Sequence, residues 1–181
     1  MTRAFDSTFA LLLEAASFAA RSHRGQLRKD KETPYASHPF RVCLVVRDLF
    51  GFDDPRMLMT ALLHDTIEDT TTDFDDVAEK FGAEVASWAA ALSKDKRLPE
   101  KQREEAYLQA LRAAPWQVKV CKLADVFDNL HDMPDSPKDR RAHQLQRVTQ
   151  YYEALKQNAA AELQRPLALV AEALERARAA Q

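Results

Sequence analysis

Apolar residues recur with helical spacing along almost the whole chain, and no segment shows the strict alternation that is typical of a half-buried β-strand. Only 3 glycines occur in 181 residues, while alanine, leucine, glutamate, glutamine and arginine are abundant. These residues favour helix, and valine is too scattered to build a sheet. The pattern therefore predicts an all-α fold, which at this length forms a single domain over residues 1–181.

Capping residues, prolines and glycines divide the chain into about eight to ten predicted helices. Asp6 and Ser7 are the predicted caps of the first helix, which extends to about Ser22. Its inward-facing residues are predicted to be Phe9, Leu12, Leu13, Ala16 and Phe18. The charged segment 93–105 is the best candidate for a mobile loop over a site. A final helix over 167–179 follows Pro166.

The net charge of −2 and the pI near 6.2 do not favour a basic surface for nucleic acid. No apolar run is long enough to cross a bilayer, so we expect no membrane partner. Cys43 and Cys121 lie in apolar helical segments and are predicted to be buried, reduced thiols. These features favour a cytoplasmic protein. The oligomeric state stays open, with a homodimer as one option.

The segment 61–70 places one imidazole and three carboxylates directly after an apolar run. Like charges at short range repel, so the crowding of Asp65, Glu68 and Asp69 beside His64 is explained if a cation binds among them. We expect His64 and Asp65 to present a nitrogen and an oxygen to one metal ion, with Glu68 and Asp69 one helical turn further along. The alternative is a helix end whose acids are simply solvated.

Two other places offer further ligands. His38 begins a predicted helix, where it could equally be an ordinary N-terminal residue. Asp125 lies among apolar residues and is costly to bury unpaired, so it requires a cation, which is either Lys122 or a metal. Two histidines and two carboxylates suit Mn²⁺ or Fe²⁺, and Zn²⁺ is an option. The remaining histidines, His23, His131 and His143, are predicted to be surface residues.

An ordered series of short motifs resembles the HD-domain phosphohydrolases, and among them the stand-alone small alarmone hydrolases and the hydrolase domain of Rel/SpoT enzymes. The matching residues, which extend over about 8–160, are Arg24 to Lys29, Thr33-Pro34-Tyr35, His38-Pro39, 61–70, Phe81-Gly82, Asp95-Lys96, Leu98-Pro99, Lys122 to Asp125 and Asn129-Leu130. Their order and spacing make the resemblance far more specific than one His-Asp pair.

The resemblance implies an all-helical fold and hydrolysis of the 3′-pyrophosphate of guanosine tetra- or pentaphosphate. It implies a single Mn²⁺ site whose ligands are His38, His64, Asp65 and Asp125. Glu68 and Asp69 match acids that activate water or transfer protons. The residues that match nucleotide contacts are Arg28, Lys29, Asn129, Arg147 and Tyr151, with Arg28 able to stack on the base.

The chain departs from the family pattern at several positions. Val126 replaces a basic residue, Asp128 replaces a common His or Tyr, and Glu100 stands where close relatives have lysine. The loop 29–33 lacks the glycine often found there. Two alternatives therefore stay open, a phosphatase acting on another nucleotide such as NADPH and a nucleotide-binding module without turnover.

Overall fold

The computed structural model describes residues 7–180, and it confirms the all-α prediction. The helices are α1 (Ser7–Ser22), α2 (Ser37–Leu44), α3 (Pro55–Leu63), α4 (Thr66–Asp69), α5 (Phe74–Phe81), α6 (Ala83–Leu92), α7 (Glu100–Ala113), α8 (Trp116–His131), α9 (Lys138–Lys156) and α10 (Gln164–Ala179). A π-helical turn (Val45–Leu49) continues α2, and 3₁₀ turns occupy Met133–Asp135 and Ala161–Leu163. Within 7–180 the β-pairing is confined to one bridge between Leu27 and Pro34.

Helices α3 and α8 form the centre of the bundle. Asp54 caps α3 by accepting the Arg56 N–H, and Pro55 supplies the first helical residue, where its missing N–H costs nothing. Every α3 residue from Met57 to Leu63 is buried. Helix α8 is buried on most of its circumference and packs against α2, α3, α6, α9 and α10. The buried polar residues of these two helices therefore need hydrogen-bond or ion-pair partners inside the protein.

The predicted packing of α1 is wrong in part. Phe9 and Leu13 are each 49% exposed, whereas Ala15 and Ala19 are fully buried. The small side chains allow α1 to approach α3 closely, and the apolar stripe of α1 is wider than the face that this contact covers. Asp6, the other predicted cap of α1, lies outside the described residues.

Three further predictions need correction. His64 and Asp65 do not continue a helix, because α3 ends at Leu63 and the pair forms the turn before α4. The charged segment is a loop only over 93–99, because α7 begins at Glu100. Cys121 is buried as predicted, but Cys43 is only half-buried; both are free thiols. No helix among residues 7–180 has the length and apolar character needed to cross a membrane.

Candidate active site

Four predicted metal ligands converge where α2, α8 and the turn after α3 meet. His38 Nε2 lies 3.6 Å from Asp65 Oδ2 and 3.2 Å from Asp125 Oδ1. His64 Nε2 lies 3.1 Å from Asp65 Oδ2 and 3.8 Å from Asp125 Oδ1. Ligand atoms of His38, His64 and Asp65 all lie within 4.8 Å of one another. Residues that are up to 87 positions apart in the sequence thus form one cluster of nitrogen and oxygen atoms.

The outer nitrogen of each imidazole is held by a hydrogen-bond acceptor. His64 Nδ1 lies 2.8 Å from the Ala61 carbonyl oxygen, and His38 Nδ1 lies 2.6 Å from Asp128 Oδ2. A carbonyl or carboxylate oxygen only accepts, so each Nδ1 carries the hydrogen and each Nε2 is the atom left for a metal or a second proton. His64 Nε2 is buried and makes no aligned hydrogen bond within 7–180, although Asp65 is close.

This donor set fits a divalent cation. Two Nε2 atoms and two carboxylates face one another at short range, an arrangement that requires positive charge between them. Burial lowers the pKa of His64, but Asp65 and Asp125 outweigh that effect and raise it to about 9. Burial raises the pKa of Asp65, yet the neighbouring imidazoles outweigh it and hold that pKa well below its usual range. Because a proton and a metal compete for the same Nε2 atoms, metal binding should release protons.

The structure pairs Asp125 with Lys122, which is one of the two partners that the sequence left open. Its Oδ2 accepts from Lys122 Nζ at 2.7 Å, while Oδ1 faces the two imidazoles. Lys122 is buried, and its ammonium lies 5.2 and 4.8 Å from the ring centres of Tyr107 and Tyr151. Burial disfavours both charges, but their mutual attraction is stronger, so the pKa of Lys122 is raised and the pKa of Asp125 is lowered. One carboxylate oxygen is therefore neutralised by protein, and the other remains for a metal.

We expect Lys122→Met to lower stability by about 3 kcal/mol, because it leaves the Asp125 carboxylate without its buried partner. For a chain of this size, that is a decrease in Tm of roughly 10 °C. Mn²⁺ should restore part of the loss by supplying the missing positive charge. Thermal unfolding with EDTA and with Mn²⁺ measures both effects.

Lys119→Met is the matched control. Lys119 is also buried on α8, but its Nζ bonds only the Gln157 carbonyl at 3.2 Å, away from the cluster. Mn²⁺ should therefore raise the Tm of Lys122→Met by more than it raises that of wild type or Lys119→Met. Equal Mn²⁺-dependent increases in all three proteins would contradict the shared role of Asp125.

Glu68 and Asp69 lie on α4 and line the same recess as the predicted metal ligands, but their environments differ. Glu68 is half-buried; its Oε2 accepts the Lys94 N–H at 2.9 Å, and burial raises its pKa. Asp69 is exposed, and its Oδ1 pairs with Lys96 Nζ at 2.6 Å. These contacts also anchor the loop 93–99 to α4. Glu68 retains one carboxylate oxygen without a protein partner within 7–180, in a less exposed position than Asp69.

The cluster lies in a recess of about 220 Å³, which all five predicted substrate contacts help to line. Three of them are already engaged with protein. Arg28 Nε donates to Asp132 at 3.0 Å, and Asn129 Nδ2 donates to Asp125 Oδ1 at 2.5 Å. Tyr151 donates to Glu104 Oε2 at 2.7 Å. In the structure these side chains shape the walls of the recess, and Asn129 orients Asp125.

Lys29 and Arg147 are different, because neither makes an ion pair or hydrogen bond with any residue that the structure describes. Partial desolvation lowers the pKa of Lys29, and repulsion from Arg28 and Arg147 adds to the effect. A bound anion would offset the repulsion between these positive side chains. Lys94 also lines the recess, and it pairs with Glu104 at 3.1 Å.

The recess also has apolar lining and contains a residue that sequence reasoning missed. The apolar aliphatic and Met side chains are Leu27, Leu92, Val126, Met133 and Val148. Gln144 is only 8% exposed, and its Oε1 is buried without a hydrogen-bond partner among the described residues. Apolar walls with one unsatisfied amide resemble a site for a flat, polar-edged group such as a nucleobase. No local pattern marks Gln144, since it lies within a polar stretch of α9.

The surface prediction for His23 is wrong. His23 is 2% exposed; its Nδ1 bonds Gln26 Oε1 at 2.9 Å, and its ring packs against Tyr35 with 4.7 Å between ring centres. Tyr35 in turn donates to Asp65 Oδ2 at 2.5 Å, so His23 supports the turn that carries this predicted metal ligand. Its polar neighbours in the sequence gave no sign of this long-range contact. His131 and His143 are exposed as predicted.

The structure shows where the residues that depart from the family pattern lie. Lys31 adopts φ +64° in the loop without glycine, where Asp30 accepts the N–H groups of Glu32 and Thr33. Val126 is buried in the recess wall. Glu100 is exposed at the start of α7 and does not line the recess. Asp128 is buried and contacts His38.

Comparisons with known proteins agree with this geometry. The HD domain family HD_4 matches residues 15–159. The guanosine-3′,5′-bis(diphosphate) 3′-pyrophosphohydrolase MESH1 of Homo sapiens is 42% identical over 149 residues, which cover 81% of this chain and 82% of that protein. The GTP pyrophosphokinase rsh of Brucella melitensis is 31% identical over 156 residues, which cover 83% of this chain and 20% of that longer protein.

A solved structure has the same fold over nearly the whole chain. It is described as a metazoan ortholog of SpoT that hydrolyzes ppGpp and plays a role in starvation responses. The TM-score is 0.81 at 30% identity, with 94% of this chain and 97% of that chain covered. Together with the family match, this likeness confirms the resemblance inferred from the sequence motifs.

Proposed function

The chain belongs to the HD domain family, and from that membership we propose that it is a metal-dependent 3′-pyrophosphohydrolase of guanosine tetra- or pentaphosphate. The reaction converts ppGpp and water into GDP and pyrophosphate. The observation that carries the proposal is the convergence of two Nε2 atoms and two carboxylates in a recess with unpaired cations. The MESH1 relatives, whose name states this activity, extend over most of the chain.

We assign His38, His64, Asp65 and Asp125 as the residues that would hold the metal. A nitrogen and oxygen set of this kind suits Mn²⁺, which is the ion we propose, and also accommodates Fe²⁺ or Zn²⁺. When bound, a divalent cation lowers the pKa of water and withdraws charge from phosphoryl oxygens. Asn129 and Tyr35 hold the carboxylates of Asp125 and Asp65 in place through their hydrogen bonds.

Glu68 is proposed as the residue that accepts the proton from water. Its raised pKa brings the carboxyl closer to the range that suits general base catalysis near neutral pH. The Lys94 N–H fixes one of its oxygens and leaves the other directed to the recess. Asp69 is held by Lys96, so its proposed role is to orient this end of α4 and to assist proton transfer.

Lys29 and Arg147 are proposed to bind the phosphate groups, because they line the recess and make no ion pair or hydrogen bond with a residue among 7–180. Arg28 and Tyr151 would contact the nucleotide from the walls, and the apolar lining with Gln144 would receive the base. Lys94 also lines the recess, where it pairs with Glu104, whereas Glu100 lies outside the recess. The absence of the family lysine at Glu100 therefore leaves the recess with positive charge.

The direct test is incubation of the protein with a panel of guanine and other phosphorylated nucleotides, including NADPH, with Mn²⁺ and with a chelator. Release of pyrophosphate from ppGpp only when Mn²⁺ is present supports the proposal. Release of orthophosphate from NADPH or another nucleotide, without pyrophosphate from ppGpp, would replace it with a phosphatase. Binding without any release would indicate a silent nucleotide-binding module.

We expect Lys29→Met to raise KM for ppGpp by about tenfold, since one charge-assisted contact to phosphate is worth roughly 1.5 kcal/mol or more. The Mn²⁺ affinity should stay at the wild-type value, because Lys29 contacts no metal ligand. Lys31→Met, in the same loop but outside the recess, should leave KM unchanged. Steady-state kinetics and Mn²⁺ titration measure both, and a parallel loss of metal affinity would contradict the assignment.

The remaining proposals concern the whole molecule. We propose a single hydrolase domain over 1–181 and a cytoplasmic location, to which the two free thiols are suited. A homodimer stays a prediction, and sedimentation of the purified protein at several concentrations would test it.

A further inference from the structure

Asp128 is a buried carboxylate that contacts a proposed metal ligand without facing the recess. Its side chain is 3% exposed, and its Oδ2 lies 2.6 Å from His38 Nδ1. His38 is almost completely buried, and its other nitrogen faces Asp65 and Asp125. Asp128 therefore contacts the Nδ1 side of the imidazole, and the cluster faces its Nε2 side.

A network of arginines fixes the position of Asp128. Arg41 donates a hydrogen bond to each oxygen of Asp128, from Nε to Oδ1 at 2.6 Å and from Nη2 to Oδ2 at 2.9 Å. Arg41 also donates to Asp132 at 2.5 Å, and Arg28 donates to the same carboxylate at 3.0 Å. A bidentate arginine–carboxylate pair has a specific geometry, so it holds the Asp128 carboxylate against rotation away from the imidazole.

We propose that Asp128 is a positioning residue, which holds His38 with its hydrogen on Nδ1 and its Nε2 directed to the metal. A negatively charged acceptor on Nδ1 stabilises this tautomer, fixes the orientation of the ring and makes Nε2 a stronger ligand. The neutral His or Tyr that is common at this position in the family could not supply the charge. Arg41 provides the fork that keeps a buried carboxylate stable there. The inference rests on the metal site in the proposed function.

The test compares Asp128→Asn with Asp132→Asn in Mn²⁺ titrations of chelator-treated protein. Both variants weaken the arginine network, but only Asp128 touches His38. We expect Asp128→Asn to raise the Kd for Mn²⁺ by about 10–100-fold, the usual cost of losing such a supporting partner, and Asp132→Asn to change it far less. Equal Kd values in wild type and Asp128→Asn would overturn the inference.

Two further readouts separate positioning from a merely structural role. The ¹⁵N chemical shifts of the His38 ring should report the Nδ1–H tautomer in wild type and in Asp132→Asn, but a mixture of tautomers in Asp128→Asn. A structural role predicts instead a similar decrease in Tm for both variants and an unchanged tautomer. If wild type itself binds no Mn²⁺, the proposed metal site fails; if it binds and only the comparison of variants fails, the inference about Asp128 alone is wrong.

Discussion

Asp65→Ala should abolish metal binding and reduce hydrolysis of ppGpp by more than about 100-fold, which exceeds the usual effect of losing a residue that only supports a ligand. The Asp65 carboxylate lies 3.1 and 3.6 Å from the two Nε2 atoms, and no other described carboxylate occupies that side of the cluster. Helical content by circular dichroism should stay near wild type, because Asp65 lies in the turn between α3 and α4 and not within a helix.

The matched control is Asp73→Ala, which removes the N-cap of α5 outside the cluster. It should lower stability by about 1 kcal/mol and leave Mn²⁺ binding and turnover intact. Metal content of the purified proteins, Mn²⁺ titration and pyrophosphate release give the comparison. Turnover by Asp65→Ala at the wild-type rate would refute the proposed site, whatever happens to the control.

Glu68→Gln should reduce kcat by about 10²–10⁴-fold, the range expected when a positioned general base is removed. The glutamine can still accept the Lys94 N–H that Glu68 accepts at 2.9 Å, so the local fold should persist. Mn²⁺ affinity should change little, because Glu68 is not among the four residues proposed to hold the metal. A reduced kcat with retained metal binding therefore distinguishes the proton acceptor from a ligand.

Asp69→Asn is the comparison for this prediction. It lies next to Glu68 on α4, but its carboxylate is exposed and paired with Lys96 at 2.6 Å. We expect a smaller decrease in kcat than in Glu68→Gln. If Asp69→Asn proved the more damaging change and Glu68→Gln turned over normally, the roles of the two acids would have to be exchanged.

Three of the four proposed metal ligands were predictable because each violates a local rule of burial, whereas His38 was indicated only by the family resemblance. His64 and Asp65 follow a run of apolar residues, and Asp125 interrupts one, so each requires a specific partner. The order of the motifs then indicated that these segments meet. The same reasoning applied to Asp128, three residues beyond Asp125 in a buried helix, would have predicted its buried contact as well. Arg41, one turn after His38, supplies the matching charge.

Other features depend on distances that no local pattern encodes. Helix α1 packs most closely through Ala15 and Ala19, so the periodicity of the larger residues was wrong for Phe9 and Leu13, which are exposed. His23 is buried because Tyr35, twelve residues away, folds over it. The recess combines charged and apolar residues of α8 and α9, which come together only when these two helices pack.

Crystals grown with Mn²⁺ offer the most direct measurement, through anomalous scattering at the manganese absorption edge. We predict one strong peak per chain, in contact with Nε2 of His38, Nε2 of His64, Asp65 and Asp125 Oδ1, with Lys122 still on the other oxygen of Asp125. A peak elsewhere in the molecule, or none while the two imidazoles and two carboxylates pair only among themselves, would contradict this prediction.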